Sequence, residues 1–321
     1  MNNVVLYCEK LPTEGMETLI MELCPPELDL RFLFPVVNGK QGDFESADYI
    51  MASIYKIGKE SIDLAKNLKL IHCPATGINH IDLQYAKEKG IPVCNSAGEN
   101  ASTTAEMTIA LMLACYRRLS MIDSRVKKGE WHSWTWRHDS YELRDKTVGV
   151  VGGGTVGREV MKRLQGWDVS IIYSDPYRMP LEKEKELHAT YVDMDTLLRE
   201  SDIVSLHCPL TAGTRGMIGA EQFKIMKKTA IIVNEARGAV IDEDALVEAL
   251  RSETIWGAAI DTWEHEPLDP EEPLVKLEKV ITTSHLGAAT RETVVRCFTV
   301  GYDNILSNMH GGKLRNIVNG L

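Results

Sequence analysis

The stretch Thr147–Leu164, TVGVVGGGTVGREVMKRL, decides the fold of this chain, because it joins a strand-like run, a glycine-rich turn and a helical pattern in that order. Thr147–Val151 is an apolar run typical of a buried strand, and the apolar residues between Val156 and Leu164 recur at helical spacing. A strand that passes through a tight glycine turn into a helix is the opening unit of a doubly wound domain. The stretch therefore predicts a parallel sheet with helices on both faces.

The turn itself fits the pattern G-x-G-x-x-G. Glycines there let backbone N–H groups approach a pyrophosphate, whose charge is stabilised at the N-terminus of the following helix. Because the chain contains 24 glycines, the pattern alone could arise by chance, and its position between a strand and a helix is what makes it informative. The residues of this turn that we predict to bind a cofactor are Gly152, Gly154, Thr155, Val156 and Gly157.

Asp175 supplies the next part of a dinucleotide site. It follows the strand-like run Val169–Tyr173, where a carboxylate can accept hydrogen bonds from the adenosine ribose hydroxyls. A carboxylate at this point repels a 2′-phosphate, so the sequence favours NAD over NADP. The alternative interpretation is that Asp175-Pro176 only forms a turn.

Two alternations of strand-like and helical patterns indicate two α/β domains. The strand-like runs of the first domain are Val4–Cys8, Tyr49–Ser53, Leu68–Cys73 and Ile91–Cys94, and a second series begins at Thr147. Thr103-x-x-Glu106 is a capping-box pattern, which predicts that a long helix starts there and bridges the domains. The helical pattern Thr290–Met309 has no strands of its own, so we expect it to pack on the first domain.

The composition excludes several classes of function. With 321 residues, of which 44% are hydrophobic, the chain exceeds the usual size of a single core. A formal net charge of -10 disfavours nucleic acid and anionic membranes as partners. The longest apolar stretch, Ile109–Tyr116, is too short to span a membrane, and Met1–Lys10 lacks a signal-peptide pattern, so we expect a soluble cytoplasmic protein. The 7 cysteines stand singly, without metal-finger spacing, and Leu181–Glu186 (LEKEKE) is interpreted as a solvated helix face.

Three ionisable side chains follow successive apolar runs of the second series. Arg237 follows Ala230–Val233, Glu266 follows Gly257–Ile260, and His285 follows Val280–Thr283. If these runs are strands of one parallel sheet, all three groups emerge at its carboxyl edge, where such sheets bind ligands. A cation that binds a carboxylate, and an acid that orients a proton-transferring histidine, together suit the reduction of a keto acid. Taken singly, each residue is also compatible with an ordinary surface or loop position.

Further motifs occur in order along nearly the whole chain. They are Gly77–Asp82 (GINHID), His207–Thr211 (HCPLT), Asn234–Gly238 (NEARG), Asp261–Pro267 (DTWEHEP) and Ser284–Gly287 (SHLG). Together with the glycine turn, these motifs resemble the signatures of the D-isomer-specific 2-hydroxyacid dehydrogenases. One position departs from the family pattern, because Ser284 stands where the family usually has proline before the histidine.

The resemblance implies two doubly wound domains, with a Rossmann NAD-binding domain of residues 101–290 inserted into a flavodoxin-like substrate domain of residues 1–100 and 291–321. It implies that Arg237 binds the substrate carboxylate and carbonyl, that His285 is the acid/base, and that Glu266 pairs with His285. It also implies a homodimer and additional cofactor contacts. The residues with these contacts are Thr103, His207, Pro209, Thr214, Ala236, Asp261 and Gly287.

Comparison with the family pattern reduces the number of possible substrates. Relatives that use 3-phosphoglycerate commonly have arginines after the third strand and before the carboxylate loop, where this chain has Ala52 and Cys73. Without bidentate partners for a phosphate, glyoxylate or hydroxypyruvate is the favoured substrate. The residues that we predict to contact it, besides Arg237, are Ser53, Tyr55, Thr76 and Gly77.

Some alternatives stay open. Formate dehydrogenases share the architecture but have glutamine where Glu266 stands, which disfavours that activity. Phosphite dehydrogenases and NAD-sensing corepressors of this fold retain the trio, so the motifs do not exclude them. The tryptophans Trp131, Trp134 and Trp136 either line the pocket or pack across a dimer.

Overall fold

The computed structural model describes residues 3–321, and the chain divides into two compact units. One unit runs to Asn100 and resumes at Thr290–Leu321, and the other comprises Ala101–Ala289. Both are α/β units built on a parallel sheet. Within residues 3–321, no helix is long and apolar enough to cross a membrane.

The helices and strands alternate along the chain. Before Asn100 they are β1 Asn3–Tyr7, α1 Glu14–Leu23, β2 Leu28–Phe32, β3 Tyr49–Met51, α2 Lys59–Leu64, β4 Leu70–Cys73, α3 Leu83–Glu88 and β5 Val93–Asn95. The next are α4 Ala101–Tyr116, α5 Leu119–Lys127, β6 Thr147–Val151, α6 Thr155–Arg163, β7 Ser170–Ser174, α7 Leu181–Glu186, β8 Ala189–Tyr191, α8 Met194–Glu200 and β9 Ile203–Leu206. The last are α9 Ala220–Ile225, β10 Ile231–Asn234, α10 Glu243–Arg251, β11 Gly257–Ile260, β12 Val280–Thr282 and α11 Arg291–Met309.

The first unit has a five-stranded parallel sheet in the order β2-β1-β3-β4-β5, which is the flavodoxin-like order. Successive residues of its strands are buried on opposite faces, as Val5 and Leu6 show by belonging to different apolar clusters. Helix α11 completes one of these clusters through Phe298 and Tyr302. The hydroxyl of Tyr302 donates a hydrogen bond to the Ile20 carbonyl of α1 at 3.1 Å. The C-terminal helix therefore belongs to the core of this unit.

The second unit has a seven-stranded parallel sheet in the order β12-β11-β10-β9-β6-β7-β8. The order reverses between β6 and β9, which is the switch point where Rossmann sheets bind dinucleotides. Ile231 and Val233 are buried in one apolar cluster and Ile232 in another, so both faces of the sheet are covered. The predicted fold class, with a Rossmann unit interrupting a flavodoxin-like unit along the chain, is confirmed.

Two strands escape prediction from the apolar pattern, and both lie at sheet edges. Strand β2 (LDLRF) carries Asp29 and Arg31, which form an ion pair at 2.8 Å. Strand β8 is only three residues long, and Thr190 at its centre is exposed. Edge strands are solvated on one side and so lose the continuous apolar run that marks a central parallel strand.

The helix expected to start at Thr103 begins earlier, at Ala101, so Thr103 lies within its first turn. Asn100, a residue type that is favoured at helix N-termini, immediately precedes this start. The helix ends at Tyr116, and Arg118 then adopts a left-handed backbone with φ 51° before α5 begins. A residue in that conformation interrupts a right-handed helix, which explains why α4 and α5 are separate helices.

Candidate active site

Three neighbouring strands bring the ionisable trio to one edge of the second sheet. Strands β10, β11 and β12 are parallel and adjacent. Arg237, Glu266 and His285 lie on the loops that follow these strands in turn. Because parallel strands direct their carboxyl ends to the same edge, the three loops lie side by side where open α/β sheets bind ligands.

Glu266 and His285 are in direct contact at this edge. The Nδ1 atom of His285 lies 2.8 Å from Oε2 and 3.1 Å from Oε1 of Glu266. The backbone N–H of Trp263 donates to Oε1 of Glu266 at 3.0 Å and so orients the carboxylate. With Nδ1 engaged, Nε2 is the nitrogen of His285 that can exchange a proton with a ligand. The two side chains are 46% and 39% exposed, so a ligand can reach the pair.

The loop that carries His285 is held by Asp261. The backbone carbonyl of Asp261 accepts a hydrogen bond from the His285 N–H at 2.8 Å. Its carboxylate accepts three more, from Thr283 Oγ1 at 2.6 Å, Leu286 N at 2.8 Å and Gly287 N at 2.9 Å. His285 has a φ of 58°, a left-handed conformation that is unfavourable for a residue with a Cβ. The four bonds to Asp261 hold the loop in this conformation without the proline that the family pattern has at Ser284.

Arg237 lies on a loop that is packed tightly against the Trp263 backbone. A Cβ atom on Gly238 would overlap the carbonyl carbon of Trp263, so only glycine allows the two loops to approach this closely. The side chain of Asn234 donates to the Arg237 carbonyl and accepts from the Ala236 N–H, both at 3.0 Å. The Nη1 atom of Arg237 donates to the Ala236 carbonyl at 2.6 Å. Arg237 forms no ion pair with an acid within residues 3–321, so its guanidinium has capacity for an anion.

The glycine turn between β6 and α6 has the backbone that a pyrophosphate site requires. Gly152 has a φ of 105°, and a Cβ there would lie 2.8 Å from the carbonyl carbon of His207. A Cβ on Gly157 would overlap the Gly152 carbonyl oxygen, so helix and strand can pack only if this residue is glycine. Gly154 is the N-cap of α6 and supplies no side-chain hydrogen bond, which leaves the first turn of the helix open to an anion.

The acidic residue after β7 is tied to the glycine turn. Oδ2 of Asp175 accepts a hydrogen bond from the Gly153 N–H at 2.7 Å, and Oδ1 accepts one from the Tyr177 N–H at 2.7 Å. These contacts place the carboxylate beside the turn, as a ribose-binding acid requires.

Arg178, three positions further on, is engaged by Glu184 of α7. Nε of Arg178 donates to Oε1 of Glu184 at 2.8 Å, and Nη2 donates to Oε2 at 2.9 Å. The hydrogen bonds from Arg178 and from Tyr173 hold the pKa of Glu184 at about 2. The prediction that Leu181–Glu186 is a solvated face is therefore wrong at Glu184, which is buried by these two partners.

Three buried polar atoms at the same sheet edge have no hydrogen-bond partner within residues 3–321. They are Nδ1 of His207, Oε1 of Glu235 and Oγ1 of Thr262, which follow β9, β10 and β11. Buried polar atoms in folded proteins are nearly always paired, so the unpaired atoms of His207 and Thr262 at this edge fit a polar ligand such as a dinucleotide. Burial lowers the pKa of His207 to about 3, so its imidazole is neutral.

The other residues predicted to contact the cofactor lie on the same side of the sheet or on flanking helices. The hydroxyl of Thr214 donates to the Pro209 carbonyl at 2.6 Å and closes the loop after β9. Thr155 and Val156 form the first turn of α6, Thr103 lies in the first turn of α4, and Ala236 and Gly287 lie on the loops of Arg237 and His285.

Apart from Arg237, the predicted substrate residues lie in the first unit, on the loops after β3 and β4. A single oxygen of Glu9, Oε1, accepts three backbone N–H groups, from Ser53 at 2.6 Å, Ile54 at 2.7 Å and Tyr55 at 2.8 Å. On the other loop, the hydroxyl of Thr76 donates to Oδ1 of Asn100 at 3.1 Å, and the Gly77 carbonyl accepts from Sγ of Cys73 at 3.2 Å. Both loops are thus ordered by contacts within their own unit.

Sequence reasoning missed two buried acids that organise these loops. Glu9 follows β1 and holds the Ser53 loop, and Glu235 follows β10 and lies beside Asp261. Each acid comes one or two residues after a buried apolar strand, where an ionisable residue is unusual. That position is the signal in the sequence, although the motif Asn234–Gly238 points first to Arg237.

The comparisons with known proteins agree with this geometry. Residues 109–287 match the family model for the D-isomer specific 2-hydroxyacid dehydrogenase, NAD binding domain. A glyoxylate reductase of Thermococcus litoralis is 41% identical over 269 residues, which cover 82% of this chain and 81% of that protein. The chain therefore belongs to the D-isomer specific 2-hydroxyacid dehydrogenase family, and the predicted family and NAD cofactor are confirmed.

Two further proteins show how the chain compares in length and shape. A D-3-phosphoglycerate dehydrogenase of Archaeoglobus fulgidus is 40% identical over 270 residues, which are 84% of this chain but only 51% of that protein. The chain thus matches about half the length of that relative. The crystal structure of a protein from Thermus thermophilus aligns with a TM-score of 0.84 and 32% identity, covering 98% of this chain and 99% of the other.

Proposed function

We propose that this protein interconverts a small 2-keto acid and its D-2-hydroxy acid with NAD as cofactor, with glyoxylate or hydroxypyruvate as the keto acid. The observation that carries the proposal is the contact of His285 Nδ1 with Glu266 at 2.8 Å, on strand ends next to that of Arg237. A positioned imidazole beside a guanidinium that has no acidic partner among the described residues is the minimum needed to bind a keto acid and move one proton. The glycine turn and Asp175 supply the cofactor half of the site.

Each residue of the trio has a distinct task in this proposal. Arg237 binds the substrate carboxylate, because its planar fork matches a carboxylate in a way that a lysine cannot. Bound NADH supplies the hydride that reduces the carbonyl carbon. His285 gives the proton on Nε2 to the carbonyl oxygen, and Glu266 stabilises the protonated imidazole before that step. In the opposite direction, neutral His285 accepts the hydroxyl proton.

The cofactor is bound by the turn and the sheet edge in this proposal. The N-terminus of α6 faces the pyrophosphate and Asp175 accepts hydrogen bonds from the adenosine ribose. Preference for NAD over NADP is supported by Arg178, whose fork is committed to Glu184 and so is not open to a 2′-phosphate.

We assign substrate recognition to the unit formed by residues 1–100 and 291–321, and NAD binding to residues 101–290. Ser53, Tyr55, Thr76 and Gly77 are the proposed substrate contacts of the first unit. The phosphoglycerate alternative is disfavoured because Ala52 and Cys73, where arginines would be needed, are both fully buried and carry no charge. The Thermococcus litoralis relative is named for the smaller substrate, glyoxylate, which supports the choice.

We further propose that two copies of the chain associate through the segment between α5 and β6. Trp131 and Trp134 are 80% and 74% exposed there, which is unusual for large aromatic side chains. Trp131 lines a cavity of about 530 Å³ together with Arg125, Trp136 and Arg137. Tryptophan and arginine are the residue types most enriched in protein interfaces, so a second copy is the expected occupant.

The experiment that tests the function follows NADH oxidation with glyoxylate, hydroxypyruvate, pyruvate and phosphohydroxypyruvate, each repeated with NADPH. We expect the highest kcat/KM with glyoxylate or hydroxypyruvate and NADH. Oxidation of phosphite with NAD tests the phosphite dehydrogenase alternative. Failure to turn over any keto acid would refute the proposal and favour an NAD-sensing binding protein.

A variant separates chemistry from folding in the same assay. His285→Ala should abolish turnover while the protein still binds NADH, as measured by NADH fluorescence. The matched control is His310→Ala, which removes an exposed histidine at the end of α11 and should leave kcat unchanged. Full activity in His285→Ala would contradict the assignment.

A further inference from the structure

Glu235 is a buried acid at the sheet edge that the proposed mechanism does not use. It comes directly after β10 and two residues before Arg237, and its side chain is only 8% exposed. A carboxylate in such a place normally has a cationic partner or several N–H donors. Glu235 forms no ion pair with a base within residues 3–321, and its Oε1 atom has no hydrogen-bond partner there. An ionised Glu235 would therefore be uncompensated.

The neighbour of Glu235 is another carboxyl group, that of Asp261. A Cβ atom added to Gly287 would overlap Oε2 of Glu235 and would lie 3.2 Å from Oδ2 of Asp261, so the two acids converge on this glycine. This convergence brings the two carboxyl groups close enough to form a hydrogen bond. Two carboxyl groups can share a hydrogen bond only if one of them carries a proton.

The proton belongs to Glu235, because the two acids differ in their other partners. Asp261 accepts hydrogen bonds from Thr283, Leu286 and Gly287, and each of these favours its ionised form. Glu235 has no such donors. Burial, and next the charge of Asp261, raise the pKa of Glu235 to about 9.

The other ionisable groups at these strand ends do not neutralise Glu235. His207, after β9, is neutral because burial lowers its pKa to about 3. Glu266 and His285, on the loops after β11 and β12, are paired with each other. Arg237 lies on the same loop as Glu235, and its Nη1 is directed to the Ala236 carbonyl. The charge on Asp261 is thus the one that acts on Glu235.

We propose that Glu235 is a positioning residue, whose neutral carboxyl group donates a hydrogen bond to Asp261 and keeps Asp261 in the conformation that holds the His285 loop. This inference rests on the proposed function, in which His285 moves the proton. Loss of the Glu235 proton would set two buried negative charges against each other. Asp261 would then have to move away, and the left-handed backbone of His285 would lose the bonds that maintain it.

The kinetic test measures the oxidation of the D-2-hydroxy acid across alkaline pH. This direction needs neutral His285, so the titration of His285 does not itself reduce the rate as the pH rises. Wild type should lose activity about tenfold per pH unit above a pH of about 9. Glu235→Gln can still donate a hydrogen bond, so it should keep its activity there and stay within about threefold of wild type at pH 7 to 8.

Two further variants complete the kinetic test. Glu235→Ala cannot donate to Asp261 and should lower kcat about tenfold or more at every pH. The kcat of Glu235→Gln should therefore exceed that of Glu235→Ala. Glu271→Gln, a change at an exposed acid on the loop after β11, is the matched control and should keep the wild-type profile. The same alkaline decline in Glu235→Gln as in wild type would overturn the proposal.

A second measurement does not depend on turnover. Infrared spectroscopy of wild type minus Glu235→Gln should show the C=O band of a protonated carboxyl group at pH 7, and this band should disappear above a pH of about 9. Backbone hydrogen exchange of residues 283–287 should become faster above this pH in wild type. The increase should be larger than the increase that the same pH change causes in Glu235→Gln. Absence of the band at pH 7 would refute the assignment of the proton. If no hydroxy acid is oxidised by any variant, the proposed function fails while these two measurements still decide the role of Glu235.

Discussion

At the scale of single residues, the atoms of His285 that fix its position differ from the atom that exchanges a proton. Its backbone N–H is bound by Asp261 and its Nδ1 by Glu266, which leaves Nε2 for a substrate. Because the contacts go to separate groups, the charge beside the imidazole can be removed without releasing the loop. The site can therefore be tested by substitutions that keep the shape of each side chain.

Glu266→Gln tests the electrostatic role of the pair. The change removes the negative charge beside His285, which favours the protonated imidazole. We expect keto-acid reduction to decline at a lower pH than in wild type, and kcat near neutral pH to fall roughly tenfold or more. The measurement is kcat from about pH 5 to pH 9, with Glu264→Gln on the same loop as control. An unchanged pH profile would speak against the pairing.

Glu235→Gln also makes a prediction about stability. Between the ordinary pKa of 4.5 and the folded value of about 9, folded Glu235 holds a proton that the unfolded chain releases. The stability contributed by this raised pKa is complete below pH 4.5 and is lost as the pH rises through about 9. Over this window, the free energy of unfolding of wild type relative to Glu235→Gln should fall by about 1.4 kcal/mol per pH unit. Urea denaturation of both proteins at several pH values measures the difference, and a constant difference would exclude the shift.

At the scale of elements, the site depends on how closely neighbouring strand-end loops approach. Gly238 brings the Arg237 loop against the Trp263 backbone, and Gly152 brings the glycine turn against His207. These contacts are between backbones, so a side chain at either glycine has no flexible neighbour to displace. The close approach of these loops thus depends on two glycines, of which Gly238 lies between two loops of the trio.

Gly238→Ala tests this contact. The added Cβ would overlap the Trp263 carbonyl, so one loop must move, and we expect a loss of stability of about 1–3 kcal/mol together with a raised KM for the keto acid. The control is Gly166→Ala in the same unit, where the added Cβ has no neighbour within 4 Å. Thermal unfolding and steady-state kinetics measure both effects. Wild-type stability and KM in Gly238→Ala would show that the close approach of the two loops does not require glycine at this position.

Helix α7 contacts the loop after β7 through Glu184, which binds Arg178. Glu184→Gln removes the charge that engages Arg178, so Arg178 becomes available to a 2′-phosphate. We expect the ratio of kcat/KM with NADPH to kcat/KM with NADH to rise several-fold. Glu186→Gln on the same helix is the control, since Glu186 pairs only with Lys183 among the described ion pairs. The same NADPH-to-NADH ratio of kcat/KM in Glu184→Gln and Glu186→Gln would contradict a role for Glu184 in cofactor selectivity.

At the scale of the whole molecule, the two units have different proposed roles. Every member of the trio and the glycine turn lies within Ala101–Ala289, whereas the proposed substrate loops lie in the unit completed by α11. The second unit also carries the exposed tryptophans, so the proposed association of two copies involves the cofactor-binding unit.

Replacing Trp131 and Trp134 together by serine tests the proposed dimer. Their exposed surface is the expected centre of the interface, so we expect the double variant to dissociate at concentrations where wild type is dimeric. Sedimentation velocity over a concentration series measures this, with Trp167→Ser, at a separate exposed position, as control. A wild type that sediments as a monomer at every concentration would refute the dimer.

Much of the fold was predictable because its signals are local. Strands β6 and β11 agree with their apolar runs to the residue, and the helical pattern from Thr290 matches α11, which begins at Arg291. Strands β2 and β8 and the start of α4 differ from the predictions, since these two strands lack a continuous apolar run and a capping pattern does not prevent an earlier start. The strand-end positions of Arg237, Glu266 and His285 followed from the order of the runs.

The sequence by itself determined the doubly wound class and the strand ends on which the ionisable residues lie. These depend on apolar periodicity and on glycines at a turn, which are properties of short segments. Only the tertiary structure decided that Asp261 holds the His285 loop, that Glu184 engages Arg178 and that Glu235 lies against Asp261. Such contacts join segments that are distant in sequence, and packing alone sets which acid is buried and which base it meets. For that reason the protonation of Glu235, invisible in the pattern NEARG, follows from the structure.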